Sequence, residues 1–152
     1  MKRIIIPIIL MIISSTALAQ SQWFPLSSSM FVMRSMKNEK VLLSAGIDTR
    51  TNDVTFRILD LSGSLCKAGV TSDAEVFPAM KINGKYVRVL SMCINGSQLI
   101  APETTDGNRY FKDQIESGNL VTIETNMGPI LSFKGAPPTD LRTKLLTSKN
   151  AM

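Results

Sequence analysis

Val76-Phe77-Pro78-Ala79-Met80-Lys81-Ile82-Asn83-Gly84-Lys85-Tyr86-Val87-Arg88-Val89-Leu90-Ser91-Met92-Cys93 is two apolar-rich runs divided by an Asn-Gly pair. Asn-Gly tolerates the positive φ values of a type I′ turn, so Val76 to Ile82 and Tyr86 to Cys93 are predicted to form a β-hairpin. In the second run Val87, Val89 and Cys93 share one face and Arg88 takes the other, which points Cys93 inward. Asn95-Gly96 repeats the turn signal before Gln98 to Ala101 and extends the hairpin into a meander.

The same alternation spreads in both directions. Upstream, Met30 to Met36 and Val41 to Ile47 read as strands, and Thr51-Asn52-Asp53 turns the chain into the alternating Val54, Phe56 and Ile58. Ser62 to Ala74 is looser, rich in Ser and Gly, and holds Cys66. Downstream, Pro102 to Asn108 is expected to be a loop and Tyr110 to Ser117 a short helix ended by Gly118. Val121 with Ile123, and Leu131 with Phe133, form two further strands joined through Asn126-Met127-Gly128. Pro137-Pro138 stops the sheet, and Thr139 can cap a last helix carrying Leu141 and Leu145. The predicted fold is mainly β: an antiparallel sandwich or twisted sheet of about seven or eight strands, with two short helices and one disulfide.

The first nineteen residues are expected to be a leader. Lys2 and Arg3 precede the apolar run Ile4 to Ile13, and Ala17-Leu18-Ala19 offers a small-residue cleavage site before Gln20. That is the pattern of a secretory signal peptide over residues 1–19. Its apolar run, about ten residues, is too short for a transmembrane helix. Residues 20–28 are expected to be an extended segment, 29–147 a single β-rich domain, and 148–152 a frayed tail. Export to the periplasm or beyond exposes Cys66 and Cys93 to an oxidising compartment, where they can pair. A redox-active pair is the alternative, but it usually needs a Cys-x-x-Cys helix start, and none is present. Losing Lys2 and Arg3 lowers the formal charge from +5 to +3. That mild, scattered excess suits a solvated mixed surface and does not point to nucleic acid.

The catalytic inventory is thin. There is no histidine in the chain, which removes the commonest general base and the commonest metal ligand. Ser-His-Asp and Cys-His arrangements are thereby excluded, and no motif singles out a Ser-Lys pair. Asp48, Asp53, Asp60 and Glu75 could supply paired carboxylates for glycan hydrolysis, although turn chemistry explains Asp48 and Asp53. Asp106-Gly107-Asn108 resembles part of a calcium loop without its further spaced acids. Arg109-Tyr110-Phe111-Lys112 is a small suggestion of a basic, aromatic surface. Asn95-Gly96-Ser97 matches a glycosylation sequon. No catalytic residue, resident cofactor or metal site is therefore predicted. Met30, Met33 and Met36 could offer thioethers to Cu(I), but strand alternation sends Met33 to the opposite side, and packing explains them better.

The order of the pieces carries a resemblance. Val41-Leu42-Leu43, Arg57-Ile58-Leu59-Asp60-Leu61, Ala68-Gly69-Val70-Thr71, Ile82-Asn83-Gly84-Lys85-Tyr86 and Cys93 precede a helix ending in Ser117-Gly118. Strands at Leu120 to Glu124 and Ile130 to Phe133 follow, then a closing Leu-spaced helix. In this arrangement the chain resembles the small exported proteins of the invasion-associated locus B family. It departs from that pattern in lacking the cysteine of an early Trp-x-x-x-Cys start and the second of two cysteines near Cys93. Lys134-Gly135-Ala136-Pro137 also replaces a Ser-Leu-x-Gly-Phe stretch, so no disulfide layout is carried over. The resemblance implies a β-sandwich-like periplasmic or surface protein linked to host-cell interaction and virulence, without catalytic residues.

The expected function is non-enzymatic: an interaction or accessory subunit of a cell-surface assembly, or a factor in host contact. Its protein partner would lie in the envelope or on the host surface. Trp23, Phe24, Met30, Met33 and Met36 are the expected partner-binding residues, because Trp and Met favour interface cores and an edge strand near a chain end is easily recruited. The alternatives are a periplasmic ligand-binding module for copper or an envelope glycan, an enzyme inhibitor presenting Glu103 to Asn108 as a rigid loop, and an uncommon hydrolase.

Overall fold

Asn83 and Gly84 lie at φ 44° and φ 83°, both in the left-handed region that a type I′ turn requires. They join β5 (Glu75–Ile82) to β6 (Lys85–Ile94). Asn95 and Gly96, at φ 50° and 84°, repeat the device between β6 and β7 (Ser97–Pro102). The computed structural model describes residues 22–126 and 128–150. The signal peptide expected over residues 1–19 lies outside them, as do Met127 and residues 151–152.

Ahead of this meander come β1 (Phe24–Ser27), β2 (Met30–Arg34), β3 (Val41–Ile47) and β4 (Val54–Asp60). After it come α1 (Thr105–Glu116), β8 (Leu120–Glu124), β9 (Leu131–Lys134) and α2 (Leu141–Asn150). Among the described residues nine strands form one sheet in the order β1-β2-β3-β4-β7-β6-β5-β8-β9, and every pairing is antiparallel. The chain thus realises the twisted-sheet form of the expected β fold, with two helices and one disulfide.

Three boundaries differ from the sequence reading, each for a local reason. Residues 24–27 are a strand and not merely extended, because their backbone pairs with β2 despite Pro25, at the edge where a missing N–H is harmless. Helix α1 starts five residues early. Asp106-Gly107-Asn108 looks like turn material, but Thr104 is an N-cap whose hydroxyl accepts the Gly107 N–H at 3.0 Å. Helix α2 continues to Asn150, into the residues 148–152 expected to form a frayed tail.

The sheet rolls upon itself. At its closing seam the Met36 N–H, just past β2, donates to the Ser132 carbonyl of β9 at 2.8 Å. Nearby, Trp23 Nε1 donates to the Gly135 carbonyl at 3.2 Å, and its ring meets Phe56 edge-on, centroids 5.8 Å apart. Inward residues from β2 to β9 then share one apolar core, including Met33, Leu43, Phe56, Met80, Ile82, Val89, Ile123 and Phe133. Both helices follow strands that end on the same side, and they insert Phe111, Ile115, Leu141 and Leu145 into that end. A smaller cluster, Val32, Leu42, Leu59 and Leu99, occupies the other face of β2, β3, β4 and β7. No helix among the described residues is long and apolar enough to cross a membrane.

Candidate functional site

With one end of the rolled sheet filled by helices, the other end is open. A cavity of about 300 Å³ enters there. Its floor is apolar: Val41, Ile58, Phe77, Met80, Ile100 and Leu131, the inward residues nearest the open end of their strands. Its rim is polar, with Asn38, Asp60, Ser62, Ser64, Gln98 and Thr125. Asp60 and Gln98 are register partners on neighbouring strands β4 and β7, so both point inward at the same level. Gln98 is 6% exposed and its amide donates to the Ser91 hydroxyl at 2.8 Å. One Asp60 oxygen accepts the Ser62 N–H at 2.7 Å. Among the described residues no Lys or Arg lines the cavity, and Asp60 is the single charge there.

The disulfide builds one wall of this mouth. Cys66 is buried and bonded to Cys93 at the end of β6, with their Cα atoms 5.7 Å apart. Around it Ser72 N–H donates to the Cys93 carbonyl, Cys93 N–H to the Ser72 hydroxyl, and Gly96 N–H to the Val70 carbonyl, at 3.0–3.2 Å. These bonds hold residues 62–72 against the β6–β7 turn, with Ser62, Ser64 and Leu65 facing the cavity. Large apolar side chains stand exposed at the same end: Leu61 45%, Ile130 47%, Leu65 50% and Met36 55%. Each follows or precedes a strand terminus at the mouth.

The five residues expected to form one partner surface are distributed over different environments. Trp23 is half-buried and packs on the main core, while Met33 is 1% exposed inside it. Phe24 and Met30 lie against the smaller cluster on the outer face, where the Arg34 guanidinium sits 5.5 Å from the Phe24 ring centre. Met36 stands at the mouth. Because Met30 and Met33 occupy opposite faces, the three sulfurs do not converge on a thioether copper site. Among the described residues no group of three or more Cys, Asp or Glu side chains is placed to hold a metal ion.

The remaining motifs find local explanations. Asp48 accepts the Arg50 N–H at 2.8 Å in the β3–β4 turn; that backbone hydrogen bond is the largest cause holding its carboxyl below the ordinary value of 3.8. Asp53 and Glu116 border a shallow groove with Lys112 and Arg142, and Lys112 lies 3.8 Å from the Glu116 carboxylate. Glu75 is exposed at the start of β5. Asp106 pairs with Arg109 at 2.9 Å, and Asn108 donates to the Pro102 and Thr104 carbonyls, so this triplet is a helix start and not a calcium loop. Glu103 to Asn108 is accordingly no free inhibitory loop. Phe111 belongs to the core, and Tyr110 donates to the Ile82 carbonyl at 3.0 Å. The Asn95 sequon sits in the β6–β7 turn.

Of the residues lining the cavity the sequence singles out Asp60 alone, as a candidate carboxylate, and not the cavity it borders. Their one signal is a polar residue at an inward strand position, as with Gln98 beside Ile100, and alternation alone hides it among ordinary edge polarity.

No protein-family model matches the chain, and no curated protein or solved structure shows significant similarity to it.

Proposed function

We propose that the protein is exported through the leader at residues 1–19 and acts, without catalysis, as a binding module of the cell envelope or its surroundings. Its site is the open mouth of the rolled sheet. The observation that carries this reading is the cavity of about 300 Å³ with an apolar floor, a polar rim and a cross-linked wall. Barrel mouths are a usual place for small ligands, and this volume falls at the low end of their range of about 300–1,000 Å³. The exposed Met36, Leu61, Leu65 and Ile130 add apolar surface where a ligand would enter. A disulfide in the wall suits an oxidising compartment.

The test is a titration of isotope-labelled protein with 1-octanol, followed by amide NMR shifts. Saturable shifts at Ile58, Met80, Ile100 and Leu131, absent in the mouth-filling variant Leu65→Trp, support the reading. Shifts confined to the outer face, or none, refute it.

A second reading keeps the chain as an accessory subunit or host-contact factor, in line with the invasion-associated locus B resemblance. It is favoured by the outer apolar cluster, on which Phe24, Met30 and Met92 are only partly buried. The β1 edge suits strand recruitment less well, being four residues long, bulged and bearing Pro25. Crosslinking in cells with Phe24→Ala and Met30→Ala as controls tests it: one discrete partner lost in both variants is the expected result.

A further inference from the structure

Resting on the mouth as the binding site, we infer that its ligand is a small amphipathic cation: an apolar body carrying a protonated amine. The floor can take only an apolar group, since Ile58, Phe77, Met80 and Ile100 present no polar side-chain atom. The head group meets a different chemistry. Asp60 brings a carboxylate to the rim, and among the described residues no lysine or arginine lines the cavity to offset it. Beside it, at the same level of the sheet, stands Gln98.

Gln98 sharpens the assignment. Its side-chain hydrogen bond among the described residues is the donation to Ser91, and no buried side-chain oxygen or nitrogen there lacks a partner. Its carbonyl oxygen is therefore not sealed away, and because Gln98 lines the cavity we assign that oxygen as an acceptor for the head group. One carboxylate and one carbonyl acceptor, on adjacent strands above an apolar floor, match a head group made of donors with a positive charge. A carboxylate or phosphate head would face Asp60 directly and be repelled. A neutral alcohol would gain the hydrogen bond without the charge.

The experiment compares 1-octylamine, 1-octanol and octanoate, one chain with three heads, titrated into the full chain near neutral pH and read by amide NMR. The amine is protonated there. Octylamine is expected to bind about tenfold tighter than 1-octanol, and octanoate more weakly than either. Added salt narrows the amine's advantage. Asp60→Asn, which keeps an oxygen for the Ser62 N–H, lowers octylamine to the affinity of octanol, and Asp60→Glu retains a preference for the amine. Equal binding of octylamine and octanol by the wild type overturns the cation assignment and leaves the mouth reading intact. Tighter binding of octanoate overturns it likewise. Should none of the three shift the mouth residues, both the assignment and the mouth reading fall. The wild-type comparison decides the matter even where Asp60→Asn folds poorly.

Discussion

The indole N–H of Trp23 donates to the carbonyl of Gly135, 112 residues further along the chain. This bond ties the segment ahead of the first strand to the segment after the last, at the seam where the sheet meets itself. Trp23 is therefore a closure residue of the fold. Trp23→Phe keeps a ring against Phe56 but loses the hydrogen bond, and should cost about 1 kcal/mol. Trp23→Ala should cost about 3 kcal/mol. Urea unfolding followed by circular dichroism measures both, and equal losses would mean that the ring contributes nothing beyond the hydrogen bond.

The disulfide should matter to stability and to the mouth. Its cysteines are 27 residues apart in sequence, for which loop entropy gives about 3–4 kcal/mol. The double variant Cys66→Ser, Cys93→Ser should lose about that much in urea. Hydrogen exchange should quicken at Val70, Ser72 and Gly96, whose backbone groups hold the wall, while the helix-filled end stays protected. Uniform loss of protection would show that the link serves the whole fold and not the mouth.

Two glycines separate strain from crowding. Gly84 and Gly96 both have positive φ, 83° and 84°. A side chain at Gly84 meets nothing within 4 Å, whereas a Cβ at Gly96 would come 2.9 Å from the Ala68 Cα. Gly84→Ala should cost about 1 kcal/mol from backbone strain alone. Gly96→Ala should cost more, about 2–3 kcal/mol, because the disulfide loop must also shift. Thermal melts of the two variants side by side give the comparison.

Helix α1 depends on its cap. Thr104→Ala removes the acceptor for the Gly107 N–H and should lower stability by about 1 kcal/mol, whereas Thr104→Ser should be close to neutral. Chemical denaturation distinguishes them.

Asp48 should leave a mark on the acid limb of stability. Its carboxyl is held below the ordinary value of 3.8, chiefly by the Arg50 backbone N–H. The folded state thus prefers the charged form, and the associated stability is present above the unfolded value and disappears as pH falls through the folded one. The difference between wild type and Asp48→Asn should be constant from neutral pH down to about pH 5 and shrink below about pH 4. A difference that persists at pH 2 would assign the effect to something other than this charge.

Particular residues show why parts of the structure were readable in the chain. Val41 to Ile47 and Val54 to Ile58 alternate between a core side and a second side, and the sheet uses that alternation as written. Asn83-Gly84 and Asn95-Gly96 encode their turns in backbone preference, which needs no distant partner. Cys66 and Cys93 were legible as a pair because no other cysteine competes. Phe24 to Ser27 was harder to read, since a four-residue strand with a proline becomes a strand only through the β2 backbone opposite it. The start of α1 was obscured by Gly107, whose preference for turns is outweighed once Phe111 and Ile115 are buried.

Local sequence thus determined what depends on neighbours in the chain: hairpin turns, strand faces, the cysteine pair and the two helices. Tertiary structure alone decided what depends on distance. The strand order β4-β7-β6-β5-β8 sets Asp60 beside Gln98, and the seam from Met36 to Ser132 curls the sheet into a mouth. It also brings Trp23 into the seam. Alternation specifies which side of a strand is apolar, but not which strand will lie next to it, because that choice is made by the summed burial of residues far apart in sequence.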